Sequence, residues 1–171
     1  MLRGWALVEQ GQGDAGIAEI RQGIAAQRAT GGRNTGPLAL LAKACWNLGQ
    51  SEEGLRVVAE TLAIVNSNGE GRWMAELYRL QGELLLTLAS EHHAEAETCF
   101  QQALEVARRQ QAKSWELRAA VSLSRLWQHQ GKQAEARELL APIYGWFTEG
   151  FDTADLQEAK ALLDALAEGD P

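Results

Sequence analysis

The sequence predicts an all-α fold in which antiparallel helix pairs stack on one another. The first observation is composition: the 171 residues include 28 alanines and 24 leucines but only three prolines and 6% aromatic residues. This mixture favours helices over sheets, which are rich in β-branched and aromatic residues. The second observation is a pattern of small and large apolar residues that recurs about every 40 residues. A unit of that length has room for two helices, and one pair cannot bury its apolar face without neighbours.

Each unit contains two small residues, one in each predicted helix, which let the two helices approach closely. The pairs are Gly4 with Gly16, Ala42 with Gly54, Gly82 with Ala96, and Ser124 with Ala136. The third pair is two residues further apart than the others, which indicates an insertion around residues 90–93. Large apolar residues one turn away fill the space beside the contact: Leu7, Cys45, Leu85 and Trp127 in the first helices, and Ile20, Val58, Phe100 and Leu140 in the second. Gly11, Gly49 and Gly131 mark turns between the helices.

The helix boundaries follow from these periods and from turn signals. We expect helices over residues 2–10, 14–29, 37–49, 52–67, 71–89, 93–110, 113–130, 133–148 and 153–167. Helix stops fall at residues 30–32 and 66–69, where glycine and asparagine accept a positive φ. Trp73 and Trp115 occupy equivalent positions in successive units and are expected to pack between repeats.

The last predicted helix, residues 153–167, is expected to close the stack. Its apolar stripe consists of Leu156, Ala159, Leu163 and Leu166, and its outer face of Gln157, Glu158, Lys160, Asp164 and Glu168. A helix with a polar outer face is what a repeat array needs at its end. Trp146 and Phe147 are expected to seat this helix.

The arrangement of small, large and turn residues resembles the tetratricopeptide repeat (TPR) over essentially the whole chain. The best single match is residues 127–136, with Gly131 in the turn. The resemblance implies a right-handed superhelical solenoid of about three and a half repeats over residues 2–148, with a capping helix at about 153–167. Two departures are a period near 40 in place of the family's 34, and a first unit that starts near its fifth position.

Two longer segments, residues 71–85 and 138–166, have a more specific resemblance. They are similar to the C-terminal TPR arm of bacterial multidomain regulators of the adenylate or guanylate cyclase type and the predicted-ATPase type. The resemblance implies a regulatory, partner-sensing arm whose cyclase and ATPase motifs lie in other domains. Residues 1–171 are expected to be a single TPR-like domain. Its first helix pair is cut short, which indicates either a fragment of a longer chain or a chain whose start has been reassigned.

In such a solenoid the first helix of each pair lines a concave groove, which is the expected protein-binding surface. The register places ten candidate residues there: Trp5, Lys43, Trp46, Asn47, Arg79, Glu83, Arg118, Arg125, Gln128 and His129. Tryptophan and arginine are frequent energetic anchors of interfaces. We therefore expect Trp46, Arg79, Arg118 and Arg125 to make the main contacts, at the most positive end of the groove.

The motifs that suggest chemistry have simpler structural explanations. Residues 11–16 fit G-x-G-x-x-G, but a helix precedes them and no acidic residue follows at the spacing of a dinucleotide site. His92 and His93 are adjacent, so their side chains diverge by about 100° on a helix and do not form an i,i+4 metal pair. Cys45 and Cys99 occupy apolar helix positions, where cysteine is usually a small buried hydrophobe. We expect no catalytic residue, metal or cofactor, and no enzyme activity in this chain.

Charge limits the kind of partner. The net charge is −7, and residues 149–171 contribute −6 of it. The chain lacks the basic surface that nucleic-acid binding needs. The acidic segment is expected to be the solvated face of the capping helix. The expected partner is a protein or peptide, including upstream domains of the same polypeptide, and the uncapped N-terminal face offers a surface for dimerisation.

Two further expectations concern the location of the protein in the cell and an alternative function. The sequence contains no apolar run long enough to cross a membrane, no signal peptide pattern and only two cysteines, which together predict a cytoplasmic protein without membrane contact. The alternative function is a small-ligand-sensing solenoid of a transcriptional or signalling regulator, which a ligand-induced rise in melting temperature would reveal.

Overall fold

The computed structural model describes residues 2–31, 35–68, 71–88 and 90–168, and these contain nine α-helices and no strand. The helices are α1 Leu2–Glu9, α2 Gly13–Ala29, α3 Gly36–Asn47, α4 Ser51–Asn68, α5 Met74–Leu88, α6 His93–Arg109, α7 Lys113–His129, α8 Gln133–Tyr144 and α9 Ala154–Glu168. Short 3₁₀ turns, Gly71–Trp73 and Ser90–His92, precede α5 and α6. The boundaries agree with the predicted ones within about three residues except at the end of α8. Gly32 and Gly69, within the predicted helix stops, lie outside the described residues.

The helices form two layers. Each odd-numbered helix packs against the even-numbered helix that follows it, and α1, α3, α5, α7 and α9 also contact one another in sequence. The odd-numbered helices therefore lie side by side along one face of the stack. The last helix, α9, packs on both α7 and α8, in the place that the first helix of a fifth pair would take. Among the described residues, no helix is both long and apolar enough to cross a bilayer.

Glycines with positive φ end several helices. Gly11, Gly49 and Gly131 have φ values of +80°, +68° and +77°. After Gly49, the amide of Gln50 donates to the carbonyl of Cys45 at 2.9 Å, which satisfies a carbonyl at the helix end. The amide of the residue that follows Gly131 makes the same bond to the carbonyl of Trp127 at 2.8 Å. The three turns predicted from glycine are confirmed.

The small residues allow close contact within each pair, as the sequence predicted. A Cβ atom added to Gly16 would lie 2.6 Å from the carbonyl oxygen of Gly4, a distance that real structures essentially never show. In the last pair the hydroxyl of Ser124 donates to the carbonyl of Ala136 at 3.0 Å. Gly82 faces the ring of Phe100, which fills the space that a side chain would otherwise occupy. The contact of Gly4 with Gly16 and the hydrogen bond from Ser124 to Ala136 bring the two helices of those pairs together, whereas in the third pair the ring fills the space.

The apolar core is continuous from pair to pair. The large residues predicted for the second helices, Ile20, Val58, Phe100 and Leu140, are completely buried. Leu84 of α5 belongs to the N-terminal part of the core and its neighbour Leu85 to the C-terminal part, so this helix joins the two. The rings of Trp73 and Trp115 lie 5.5 Å apart between successive units, as the repeat register predicted.

Two expectations about the segment before α9 were wrong. Helix α8 ends at Tyr144 and not near residue 148, because Pro142 lacks an amide proton and Gly145 follows within a turn. Trp146 does not seat the last helix, since it is 58% exposed and contacts Phe147 edge to face at 5.2 Å. Phe147 does pack on the core beside α9.

Candidate functional site

The side-by-side odd helices form a concave face with a central cavity of about 120 Å³. It lies between α3, α5, α7 and α9, and its lining residues are Lys43, Trp46, Arg79, Glu83, Arg118, Val121, Ser122, Arg125, Asp155 and Glu158. Six of the ten residues predicted for the groove are therefore brought together here. The other four lining residues, two from α7 and two from α9, were not among the ten.

A second cavity of about 210 Å³ adjoins the first and shares Lys43 and Arg118 with it. Its walls are mostly apolar, and they consist of Trp5, Gly36, Ala39, Leu40, Lys43, Trp73, Glu76 and Arg118. The predicted residue Trp5 lies here, with the ammonium of Lys43 5.0 Å from its ring centroid. The two cavities form one groove with an aromatic end and a charged end.

Three predicted residues lie apart from these cavities. Asn47 is exposed at the end of α3, and its amide donates to Glu9 at 3.5 Å. Gln128 and His129 lie on the last turn of α7, beyond Arg125, and line neither cavity. The repeat register assigned them to the groove, and their place in it stays a prediction.

Arg79 forms the floor of the charged end. Its guanidinium donates two bonds of 2.9 Å to the two carboxylate oxygens of Glu76 and a third of 3.2 Å to Glu83. The hydroxyl of Ser122 on α7 donates to the same Glu83 oxygen at 2.6 Å, and the Trp46 ring lies 5.4 Å from the guanidinium. Arg79 is only 7% exposed. The sequence predicts that Arg79 contacts a partner. In the structure its guanidinium instead donates hydrogen bonds to carboxylates of its own helix.

Burial and pairing act in opposite directions on the ionisation of these groups. Burial by itself would raise the pKa of Glu76, but hydrogen bonds and attraction from Arg79 outweigh it and hold that pKa below its usual value. Burial would likewise lower the pKa of Arg79, and Glu76 raises it above the usual value. Both groups therefore stay charged at neutral pH, as a buried pair must if it is to be stable.

The capping helix α9 supplies two carboxylates to the groove. Asp155 accepts a bond of 2.7 Å from Arg118, and Glu158 lies 2.6 Å from a guanidinium nitrogen of Arg125. This corrects two expectations: Glu158 is not on the outer face, and the C-terminal end of the groove is not its most positive part. The reason is that α9 occupies the position of another first helix, so one of its polar faces lines the concave side. Both pairs are partly exposed, where an ion pair contributes only about 0–1 kcal/mol.

The remaining motifs match their structural explanations. Gly11 forms a turn and Gly16 a close helix contact, as described above. His92 lies 3.5 Å from Glu95, and the described residues contain no group of three or more side chains suited to holding a metal. Burial raises the pKa of the Cys99 thiol to about 11, which keeps it protonated.

Comparison with known proteins supports this architecture. No protein-family model matches the chain, and no curated protein matches it either. Solved structures do match, and two of them are a Podosopora anserina protein of the kinesin light chain type, with nearly identical TPR-like repeats, and a single-residue variant of that protein. The alignments have TM-scores of 0.70 and 0.71 and sequence identities of 17% and 16%, respectively. Each alignment covers 96% of this chain and 82% of the matched chain.

The chain has a TPR-like fold. Identities this low establish the fold and nothing finer, so the chemistry of the TPR-like groove must be argued from its own side chains.

The two kinds of groove arginine should differ in their effect on stability. Arg79→Met leaves the buried Glu76 and the partly buried Glu83 without their cation and should lower the free energy of unfolding by about 3–5 kcal/mol. Arg118→Met removes a partly exposed pair and should cost about 0–1 kcal/mol. Urea unfolding followed by circular dichroism measures both. Equal losses in the two variants would contradict the assignment of Arg79 to the buried floor.

The lowered pKa of Glu76 predicts a dependence of stability on acid. A carboxylate whose pKa is lower in the folded than in the unfolded state stabilises the fold above the unfolded value of about 4.3, and that contribution is lost as the pH falls through the folded value. Wild type should therefore lose more stability between pH 7 and about pH 3 than Glu76→Gln does, since the amide does not titrate. Urea unfolding at several pH values measures this, and identical losses would refute it.

Proposed function

We propose that this chain is a non-catalytic protein-interaction module that binds a segment of a protein partner in its concave groove. The observation that supports the proposal is the continuity of the two cavities, which place Trp5, Lys43 and Trp46 next to the charged end. Aromatic rings and a cation in a partly desolvated cleft are the usual anchors of a protein interface. The coarse function agrees with the TPR-like fold.

We also propose that the module is the C-terminal sensing or scaffolding arm of a bacterial signalling ATPase or nucleotide cyclase. The resemblance of residues 71–85 and 138–166 to such proteins supports this proposal. These segments include most of α5, with Arg79, and most of α9, with Asp155. The resemblance is therefore concentrated in helices that line the groove. An upstream domain of the same polypeptide is then a candidate partner.

The arm proposal predicts what precedes the coding sequence. Reading the source genome upstream of the Met1 codon should reveal an open frame that continues into a P-loop and a cyclase-like domain. A stop codon directly upstream would contradict the arm proposal and leave the interaction module as a free-standing adaptor.

Self-association and small-ligand sensing have weaker support. Dimerisation through the N-terminal face stays a prediction, and Leu2 on α1, which is 84% exposed, is a side chain that such a contact would cover. A small ligand could occupy the adjoining cavity of about 210 Å³, which is larger than the roughly 150 Å³ cavity that holds one benzene molecule, but not the central one of about 120 Å³.

The groove proposal is tested with peptides selected from a random display library on the wild-type protein. Lys43→Glu and Trp46→Ala should each weaken the selected peptides by about tenfold or more, since anchors of this kind contribute above about 1–2 kcal/mol. Isothermal calorimetry measures the affinities, and melting curves check that the variants fold.

The matched controls change the same residue types away from the groove. Lys132 pairs with Glu97 at 3.8 Å, and Trp146 is exposed beside Phe147. Lys132→Glu and Trp146→Ala should leave the affinity unchanged. Peptides that are insensitive to the groove variants, or equally sensitive to the controls, would refute the groove as the binding surface.

A further inference from the structure

The groove already contains two carboxylates of its own chain. Asp155 and Glu158 lie one turn apart on α9 and bond to Arg118 and Arg125, which lie two turns apart on α7. The acidic side chains thus come from the element that closes the stack, while the arginines belong to the repeat array. The inference drawn from this arrangement rests on the proposed function of the groove.

These contacts are not what holds α9 in place. Its apolar side chains Leu156, Ala159, Leu162 and Leu166 are all buried against α7 and α8. The two carboxylates can therefore rotate away from the arginines while the helix stays docked. The apolar burial that docks α9 therefore does not depend on the two ion pairs.

The two ion pairs between α7 and α9 are also accessible to solvent. The side chains of Arg118 and Asp155 are 34% and 30% exposed, and those of Arg125 and Glu158 are 51% and 42% exposed. In the Arg79 pair with Glu76 the values are 8% and 6%. Solvent and an incoming side chain can reach the first two pairs and not the buried one.

Lys43 adds a third accessible cation. Among the described residues its ammonium has no carboxylate within 4.0 Å and instead lies over the Trp5 ring. It lines both cavities together with Arg118. Lys43, Arg118 and Arg125 therefore form a row of exchangeable cations. The carboxylates of Glu76 and Glu83 are bonded to Arg79 beneath it.

We propose that the groove takes an acidic segment of a protein partner, and that Asp155 and Glu158 act as a built-in competitor for it. The carboxylates of α9 occupy Arg118 and Arg125 until carboxylates of the partner replace them. Exchanging one partly exposed carboxylate for another changes little in ion-pair energy, so the swap is reversible. Neutral segments gain no ion pair in return for displacing the α9 side chains, so α9 favours acidic sequences.

The test removes the competing charges and keeps the shape of α9. The probe is a fluorescein-labelled hexaglutamate peptide, measured by fluorescence anisotropy at low salt. The double variant Asp155→Asn with Glu158→Gln should bind it about fivefold more tightly than wild type. The gain should shrink as salt is raised, because the freed pairs are exposed. Adding Arg118→Gln and Arg125→Gln to that variant should abolish the gain in affinity.

Two controls separate the site from net charge. Asp164 and Glu168 lie on α9 outside the groove, Asp164 paired with Lys160 at 2.5 Å, so Asp164→Asn with Glu168→Gln removes the same charge elsewhere. This variant should bind hexaglutamate as wild type does, and hexaglutamine should show no gain with either variant. Equal gains for the two double variants, or no gain for Asp155→Asn with Glu158→Gln, would overturn the proposal.

The outcome is distinguishable from failure of the proposed function. If library peptides depend on Lys43 and Trp46 but the α9 variant gains nothing for hexaglutamate, the groove stands and the competitor is refuted. If the α9 variant gains as expected while library peptides ignore the groove variants, the competition for Arg118 and Arg125 stands and the broader function is refuted. Melting curves of all variants confirm that α9 remains docked.

Discussion

The groove depends on the close contact between the two helices of each pair. Where Gly4 meets Gly16, or Ser124 meets Ala136, the absence of large side chains lets the two backbones approach and fixes the orientation of the pair. Successive pairs stack on one another, and their first helices lie side by side. A side chain on the exposed face of α3 then has neighbours on α5 and α7, although about 40 residues separate each first helix from the next along the chain. The groove is a consequence of repetition.

Charge in this groove is divided by burial into a fixed part and an exchangeable part. Arg79 is enclosed by Glu76, Glu83 and the Trp46 ring, so removing it leaves carboxylates in a medium where an unpaired charge is costly. The pair of Arg118 with Asp155 faces solvent, where water replaces either partner at little cost. Both kinds of contact look alike as distances near 2.7–3.2 Å. Their exposure determines which of them supports the fold and which is available to a partner.

The last helix serves both the core and the groove. Its apolar stripe, which includes Leu156 and Leu166, covers the end of the hydrophobic core, while Asp155 and Glu158 extend to the arginines of α7. An array of stacked pairs needs such an end, since an uncovered pair would expose its apolar face. Because α9 takes the place of a further first helix, it closes the core and also completes the concave surface. Burial against the core and the ion pairs of the groove thus use different faces of one element.

The sequence by itself determined the helices, their pairing, the glycine turns and most of the groove positions. Small and large residues at a period near 40 report directly on contacts within and between neighbouring units, which are local consequences of helix geometry. The repeat register predicts which side of each first helix faces the groove. It therefore identified six of the side chains that line it: Lys43, Trp46, Arg79, Glu83, Arg118 and Arg125. The tertiary structure alone decided the charge state of the groove, the burial of Arg79 and the inward direction of the α9 acids. These properties depend on which side chains from different helices meet and on how much water reaches each pair. Neither a repeat period nor a residue count contains that information.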